Sequence, residues 1–177
     1  MKKFFPLILF FLIACNQSKI EPVINTQFGN EKIPVQESWN SKVYIYELNK
    51  KKAIVYSTYL KKFEKPAETL LENMKVEFYD ENENLSSVLT SRKGRIDDKT
   101  KDMFALDSVI VKSDSGITLY SDELMWKNKD RKIVSTLYIK IITKDETIEG
   151  YGFESDQNLK NYKIFEPIVN SNKKVEK

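Results

Sequence analysis

Leu12-Ile13-Ala14-Cys15 is the one run in this chain whose residue types and spacing specify a covalent chemistry. A leucine three positions and an alanine one position before a cysteine form a bacterial lipoprotein processing site. There the thiol receives a lipid and the chain is cut just before it. The residues ahead agree. Lys2 and Lys3 give a positive start, and 4–13 are apolar apart from Pro6, which is signal-peptide anatomy. The stretch is about half of the ~20 residues a membrane-spanning helix needs. The plain alternative is an ordinary secretory signal, or a short uncleaved anchor, with an incidental cysteine. Cleavage would remove 1–14 and leave Cys15 as an acylated N-terminus. Several acyl chains hold a protein on a bilayer where one is marginal.

Other reactive chemistry is scarce. Histidine is absent and Cys15 is the only cysteine. Ser-His-Asp sites, Cys-His sites and histidine metal centres are therefore excluded, as is a disulfide within one chain. Paired carboxylates remain open, but most Asp and Glu residues fall in turn-like clusters with Asn, Lys and Ser. The reading is a protein that is not an enzyme, with no cofactor and no metal. The formal charge of +3 falls to near neutrality when Lys2 and Lys3 leave with the signal. That balance gives no sign of a nucleic-acid groove.

The elements that follow read as strands. Residues 15–35 are polar and mixed, interrupted by Pro22, Gly29 and Pro34, and read as an acylated N-terminus with a flexible tether. About 20 such residues extend to ~65 Å at ~3.3 Å each. Beyond them, runs rich in Val, Ile, Tyr, Phe, Thr and Leu alternate with polar residues. Strands are expected at 41–48, 53–62, 71–80, 85–96, 102–112, 117–126, 132–143, 147–153 and 162–168. Turns fall at 49–51, 80–84, 97–101, 114–116, 127–130, 144–146 and 156–158, where Asp and Asn bond their own backbone and Gly116 tolerates positive φ. The best helix candidate, 67–71, is one turn at most. Repeated long hairpins leave a β-sandwich, a jelly roll or a small barrel.

Alternation assigns faces. Met74, Val76 and Phe78 share one face; so do Ala105, Val109 and Val111; so do Ile133, Leu137, Ile139 and Ile141. Parity breaks between Leu119 and the later pair Leu124 and Trp126, and a bulge near Asp122 would reconcile them. Trp39 and Trp126 read as packing residues.

An ordered series of segments resembles the LptC family of lipopolysaccharide export proteins. Gln36-Glu37-Ser38-Trp39-Asn40 is similar to the start of its domain. Val76-Glu77-Phe78-Tyr79-Asp80 with Leu85-Ser86-Ser87-Val88-Leu89-Thr90-Ser91 is similar to one of its hairpins. Asp107-Ser108-Val109-Ile110-Val111 with Gly116-Ile117-Thr118-Leu119-Tyr120-Ser121-Asp122-Glu123-Leu124-Met125-Trp126 resembles its most specific stretch. Gly150-Tyr151-Gly152-Phe153 leading to Tyr162-Lys163-Ile164 resembles its ending. That Gly-x-Gly is no dinucleotide fingerprint, since no third glycine follows at the right spacing and no helix follows.

The resemblance spans 36–167 and implies an all-β, antiparallel, twisted β-jelly roll, open-ended and splayed, over 36–168. It implies a periplasmic, membrane-anchored protein of a diderm bacterium. Such a protein accepts lipopolysaccharide from an inner-membrane ABC transporter (LptB/LptF/LptG-like) and passes it to an LptA-like jelly-roll protein by edge-strand addition. Many members use a transmembrane helix; here the anchor is lipid, expected at the inner membrane. Asn16 stands where an Asp is often associated with inner-membrane retention.

Within that frame, the lipid-groove candidates are Phe78, Val109, Val111, Leu119, Leu137, Ile139 and Ile141. The bland reading of each is sealed core. The 162–168 strand is the candidate edge for the next jelly roll, with Pro167 ending the pairing; the 41–48 strand is the candidate edge for the transporter. Gly150 and Gly152 read as structural, permitting a bulge or a close backbone approach. Lys75, Arg92, Arg95 and Lys140 are possible phosphate contacts, against the simpler reading of a solvated face. Residues 169–177 read as a disordered polar tail. The competing functions are a structural or adhesive surface lipoprotein with a sealed β-sandwich, and a carboxylate-based hydrolase.

Overall fold

The computed structural model describes residues 32–168. The signal peptide, Cys15, most of the tether and the 169–177 tail lie outside the described residues. Nine strands follow in order: β1 (Gln36–Glu47), β2 (Lys50–Phe63), β3 (Glu68–Tyr79), β4 (Leu85–Asp97), β5 (Met103–Ser113), β6 (Thr118–Lys127), β7 (Lys132–Ile142), β8 (Thr147–Ser155) and β9 (Tyr162–Ile168). There is no helix among the described residues. The 67–71 helix candidate opens β3 instead.

The turns close as their chemistry requires. Asp80 accepts from the amides of Asn82 (2.8 Å) and Asn84 (2.9 Å). Asp97 accepts from those of Lys99 (2.8 Å) and Thr100 (3.0 Å). Asp156 accepts from those of Asn158 (3.2 Å) and Lys160 (3.0 Å). A carboxylate binding the backbone a few residues ahead replaces the ladder bonds that end at a strand terminus. Leu48 and Asn49 both have positive φ, 47° and 64°, as a two-residue hairpin turn of the mirror type demands.

All pairings are antiparallel, and the strand order is the sequence order from β1 to β9. Among the described residues, β1 and β9 therefore each present an unpaired edge. The sheet coils on itself around one apolar core. Phe78 on β3 meets Trp126 on β6 at 6.3 Å between ring centroids. The β8–β9 turn reaches β4: Ser87 Oγ donates to the Gln157 carbonyl at 3.0 Å, and Gln157 Nε2 donates to the Tyr79 carbonyl at 3.3 Å.

A transverse crease crosses the sheet. On one side of it, paired or one step beyond the last ladder pair, lie Ser57, Met74, Ser91, Val109, Ser121, Ile139 and Gly150; on the other lie Leu60, Leu71, Gly94, Ala105, Leu124, Ser135 and Phe153, where the ladders resume. Every one of these residues is buried. Within a strand the two rows are three positions apart in β2, β3, β4, β6 and β8, a spacing that reverses the face in a regular strand. Each of these strands therefore spends one extra residue at the crease, the signature of a bulge; β5 and β7 spend two. Positive φ marks the same places: Asn40 at 51°, Asn73 at 48°, Asp107 at 65°, Ser108 at 56° and Gly152 at 72°. The bulge expected near Asp122 is present, as a register shift between Ser121 and Met125. It is one member of a series.

The crease corrects one facing assignment. Leu137 lies in the extra segment of β7 between Ser135 and Tyr138, with its amide donating to Ser135 Oγ at 3.1 Å. It is 42% exposed and does not share the face of Ile133, Ile139 and Ile141. Simple alternation fails there because two residues are spent on the bend. Trp39 also departs from its expected packing role: it is 66% exposed and stacks on Tyr59 at 5.2 Å.

Candidate lipid-binding interior and sheet edges

A stripe of apolar side chains runs across the inner face from strand to strand. Val55 pairs with Val76, Val76 with Leu89, Leu89 with Val111, Val111 with Leu119, Leu119 with Ile141 and Ile141 with Ile148. β-branched and leucine side chains at period two place this stripe on one face of each strand from β2 to β8. Val109 and Ile139 lie one row closer to the crease, and Phe78 lies one row further from it. Six of the seven groove candidates thus converge on one interior; only Leu137 points away.

That interior is closed in this conformation. Phe78, Val109, Val111, Leu119, Ile139 and Ile141 are each 5% exposed or less. The space between Met74, Phe78, Leu89, Leu124, Trp126 and their neighbours is about 20 Å³, enough for about one water and not for an acyl chain. A lipid enters only if the two walls of the coiled sheet part.

The edges carry the exposed apolar surface. On β1 and the turn after it, Trp39, Val43, Tyr44, Tyr46 and Leu48 are exposed; on β9, Phe165 and Ile168 are. Large apolar groups beside unpaired strand backbone are the ingredients of strand addition. The residue after the fourth β9 position is Glu166, and Pro167 follows as the cross-strand partner of Gly150. It supplies no amide to an incoming strand. Gly150 gives β9 its close seat: a Cβ there would lie 2.5 Å from the Glu166 carbonyl oxygen. Gly152 holds φ +72° beneath the Phe165 ring.

The cations named as phosphate contacts all lie on the outer surface with partners of their own. Lys75 pairs with Glu77 at 2.6 Å, Arg92 with Asp107 at 3.9 Å and Lys140 with Glu149 at 3.2 Å. Arg95 stacks over Phe104 at 3.7 Å. Sequence reasoning missed the cluster around Glu77. Tyr56 and Tyr79 both donate to its carboxylate, at 3.0 and 3.1 Å. Lys75 first, then these hydroxyls, hold the Glu77 carboxyl below its ordinary value. The crease was also missed, although turn-forming residues in mid-strand (Asn40, Asn73, Asp107, Asp122, Gly152) were a visible signal. Among the described residues, no group of Asp, Glu, Cys or His is arranged to hold a metal ion.

A family described as "Lipopolysaccharide-assembly, LptC-related" matches residues 7–167. No curated protein matches the chain.

Proposed function

The chain belongs to the LptC family, a periplasmic component of the inner-membrane-associated lipopolysaccharide transport system, and we propose that it carries the lipid between two partners. In this reading it accepts lipopolysaccharide from an LptB/LptF/LptG-like ABC transporter and passes it to an LptA-like periplasmic protein. One observation carries the reading: an unbroken apolar stripe crosses the inner face of a sheet whose two edges are both open.

Physical chemistry supplies the reason for such a stripe. Each CH₂ exposed to water costs ~0.8 kcal/mol, so a multi-chain lipid cannot cross an aqueous compartment bare. Phe78, Val109, Val111, Leu119, Ile139 and Ile141 offer the chains an apolar lining once the walls part, while the sugar head stays wet. β1 faces the transporter and β9 faces the next jelly roll, each adding a neighbouring strand to its open edge. Movement comes from lipid added at the transporter end, so this chain needs no catalytic group. Cys15 carries the acyl anchor that holds the domain at the inner membrane.

Photo-crosslinking in cells tests this. A photoreactive residue replaces Val111 or Ile139, with outward Lys140 as control. Lipopolysaccharide captured at the inward sites alone, and lost on energy depletion, is the expected result. A second reading, a surface lipoprotein with a sealed β-sandwich, is favoured by the closed interior of about 20 Å³. The absence of any lipid adduct at both inward sites, in folded and membrane-bound protein, would put that reading first.

A further inference from the structure

The crease is lined by serines, and two of them differ from the rest. Ser91 Oγ donates to the Lys93 carbonyl at 2.8 Å, and Ser121 Oγ to the Tyr138 carbonyl at 3.0 Å. Ser135 Oγ accepts from the Leu137 amide. These three hydroxyls serve the bulges on which they sit. Ser41 on β1 and Ser57 on β2 are direct cross-strand partners. Neither of their hydroxyl oxygens has a hydrogen-bond partner among the described residues, although both atoms are shielded from solvent. Ser57 is only 4% exposed.

An unpartnered hydroxyl in the interior is unfavourable because it has given up water and gained no bond in return, and folded proteins carry few. Two side by side on one row, on the edge strand β1 and its neighbour β2, mark a place where the missing partner arrives from outside. The row continues as Met74, Ser91, Val109, Ser121 and Ile139, and the hydroxyls of Ser91 and Ser121 are already bonded, so along this row the pair alone offers free hydrogen-bonding capacity among the described residues. It also lies on the crease, where each strand already gives up regular ladder bonding and the walls part at least cost.

We propose that Ser41 and Ser57 form a binding site for an oxygen atom carried on an acyl chain, an ester or amide carbonyl or a chain hydroxyl. The site rests on the proposed lipid-carrying function. Facing cross-strand side chains stand ~5 Å apart, so one oxygen between them reaches both hydroxyls at ordinary hydrogen-bond length. A carbonyl accepts from either serine; a chain hydroxyl donates to one and accepts from the other. Plain hydrocarbon offers neither and passes without pausing.

The test uses the full chain in its membrane, with Ser41→Ala/Ser57→Ala as the variant. A photoreactive residue at Val43 reports lipopolysaccharide capture. Val43 alternates with Ser41 and Ile45 on the inner face and is half-exposed, so it tolerates the probe. Two opposite effects are expected. The double variant melts higher, by roughly 6 °C or more, because two unpartnered hydroxyls are removed and methyls remain. Its lipid capture falls roughly fivefold, because the hydrogen bonds to lipid are gone. Ser121→Ala, which loses a bond already made, melts lower. If the double variant melts lower too, its hydroxyls are partnered in the fold and the site is refuted. Capture at Val111 and Ile139 in the parent, together with undiminished capture at Val43 in the double variant, would sink the site and leave the lipid-carrying function standing. No capture at any inward position in the parent removes both.

Discussion

Substituting Gly150 by alanine tests whether β9 is seated as described. The added Cβ would lie 2.5 Å from the Glu166 carbonyl oxygen, 2.6 Å from Ile164 Cγ2 and 2.9 Å from Pro167 Cα. Two of these three are backbone atoms, so no rotamer change relieves the clash. Reaching ordinary contact requires β9 to retreat by about 0.9 Å. A shift of that size takes ladder bonds of ~2.9 Å beyond hydrogen-bond length. Overpacking of this kind costs about 1–3 kcal/mol. A domain of this length shifts its midpoint by roughly 3–5 °C per kcal/mol, so Gly150→Ala lowers Tm by roughly 5–10 °C. Gly116→Ala is the control. It has φ +84° with nothing within 4 Å of the new Cβ, so it carries only the backbone term of about 1 kcal/mol. Thermal melting followed by circular dichroism gives the midpoints, and hydrogen exchange shows where the loss falls. Protection should vanish in β8 and β9 and persist in β1 to β4. A midpoint within about 1 °C of the parent, or loss of protection spread evenly over all strands, would refute the close seating of β9 on Gly150.

Leu119 is fully buried; Leu119→Ala should cost about 2–5 kcal/mol in urea unfolding with an unchanged slope. The depressed Glu77 carboxyl contributes stability that is present above its ordinary 4.5 and lost as pH falls below that value; Glu77→Gln should remove this pH dependence, read from urea midpoints between roughly pH 3 and 5. The Tyr59 hydroxyl, donating to Glu37, is pushed up to about 12. Ultraviolet titration should show one tyrosine ionising there, and Glu37→Gln should bring it back toward the ordinary 10.0.

The strand positions were legible because turn chemistry is local. Asp80, Asp97 and Asp156 each bind the backbone a few residues ahead, and that needs no knowledge of the fold. The core was legible wherever alternation held without interruption, as from Met74 to Phe78. The crease was not, because it is a property of neighbouring strands in register; the extra residue in β6 looked like an isolated irregularity until its counterparts in β2 to β8 were aligned beside it. Leu137 was misassigned for the same reason. Trp39 was misassigned because it stands on β1, which has no outer neighbour among the described residues, so a large aromatic there leans on Tyr59. The closed interior was beyond the pattern altogether. Alternation tells which side chains face inward and is silent on how closely two walls approach.

The strand order has a consequence for how this molecule is made. Every strand pairs only with its neighbours in the chain, and the longest connection between partners is the short 156–161 turn. All-β proteins are usually slow to fold because distant segments must find one another first. Here no strand waits for a partner made much later. A chain delivered N-terminus first can zip β2 onto β1, then β3 onto β2, with one fresh edge exposed at each stage. Assembly ends at β9, the strand left open. The last surface completed during synthesis is thus also one still available for growth, and a jelly roll docking there would continue the same zippering with a second chain.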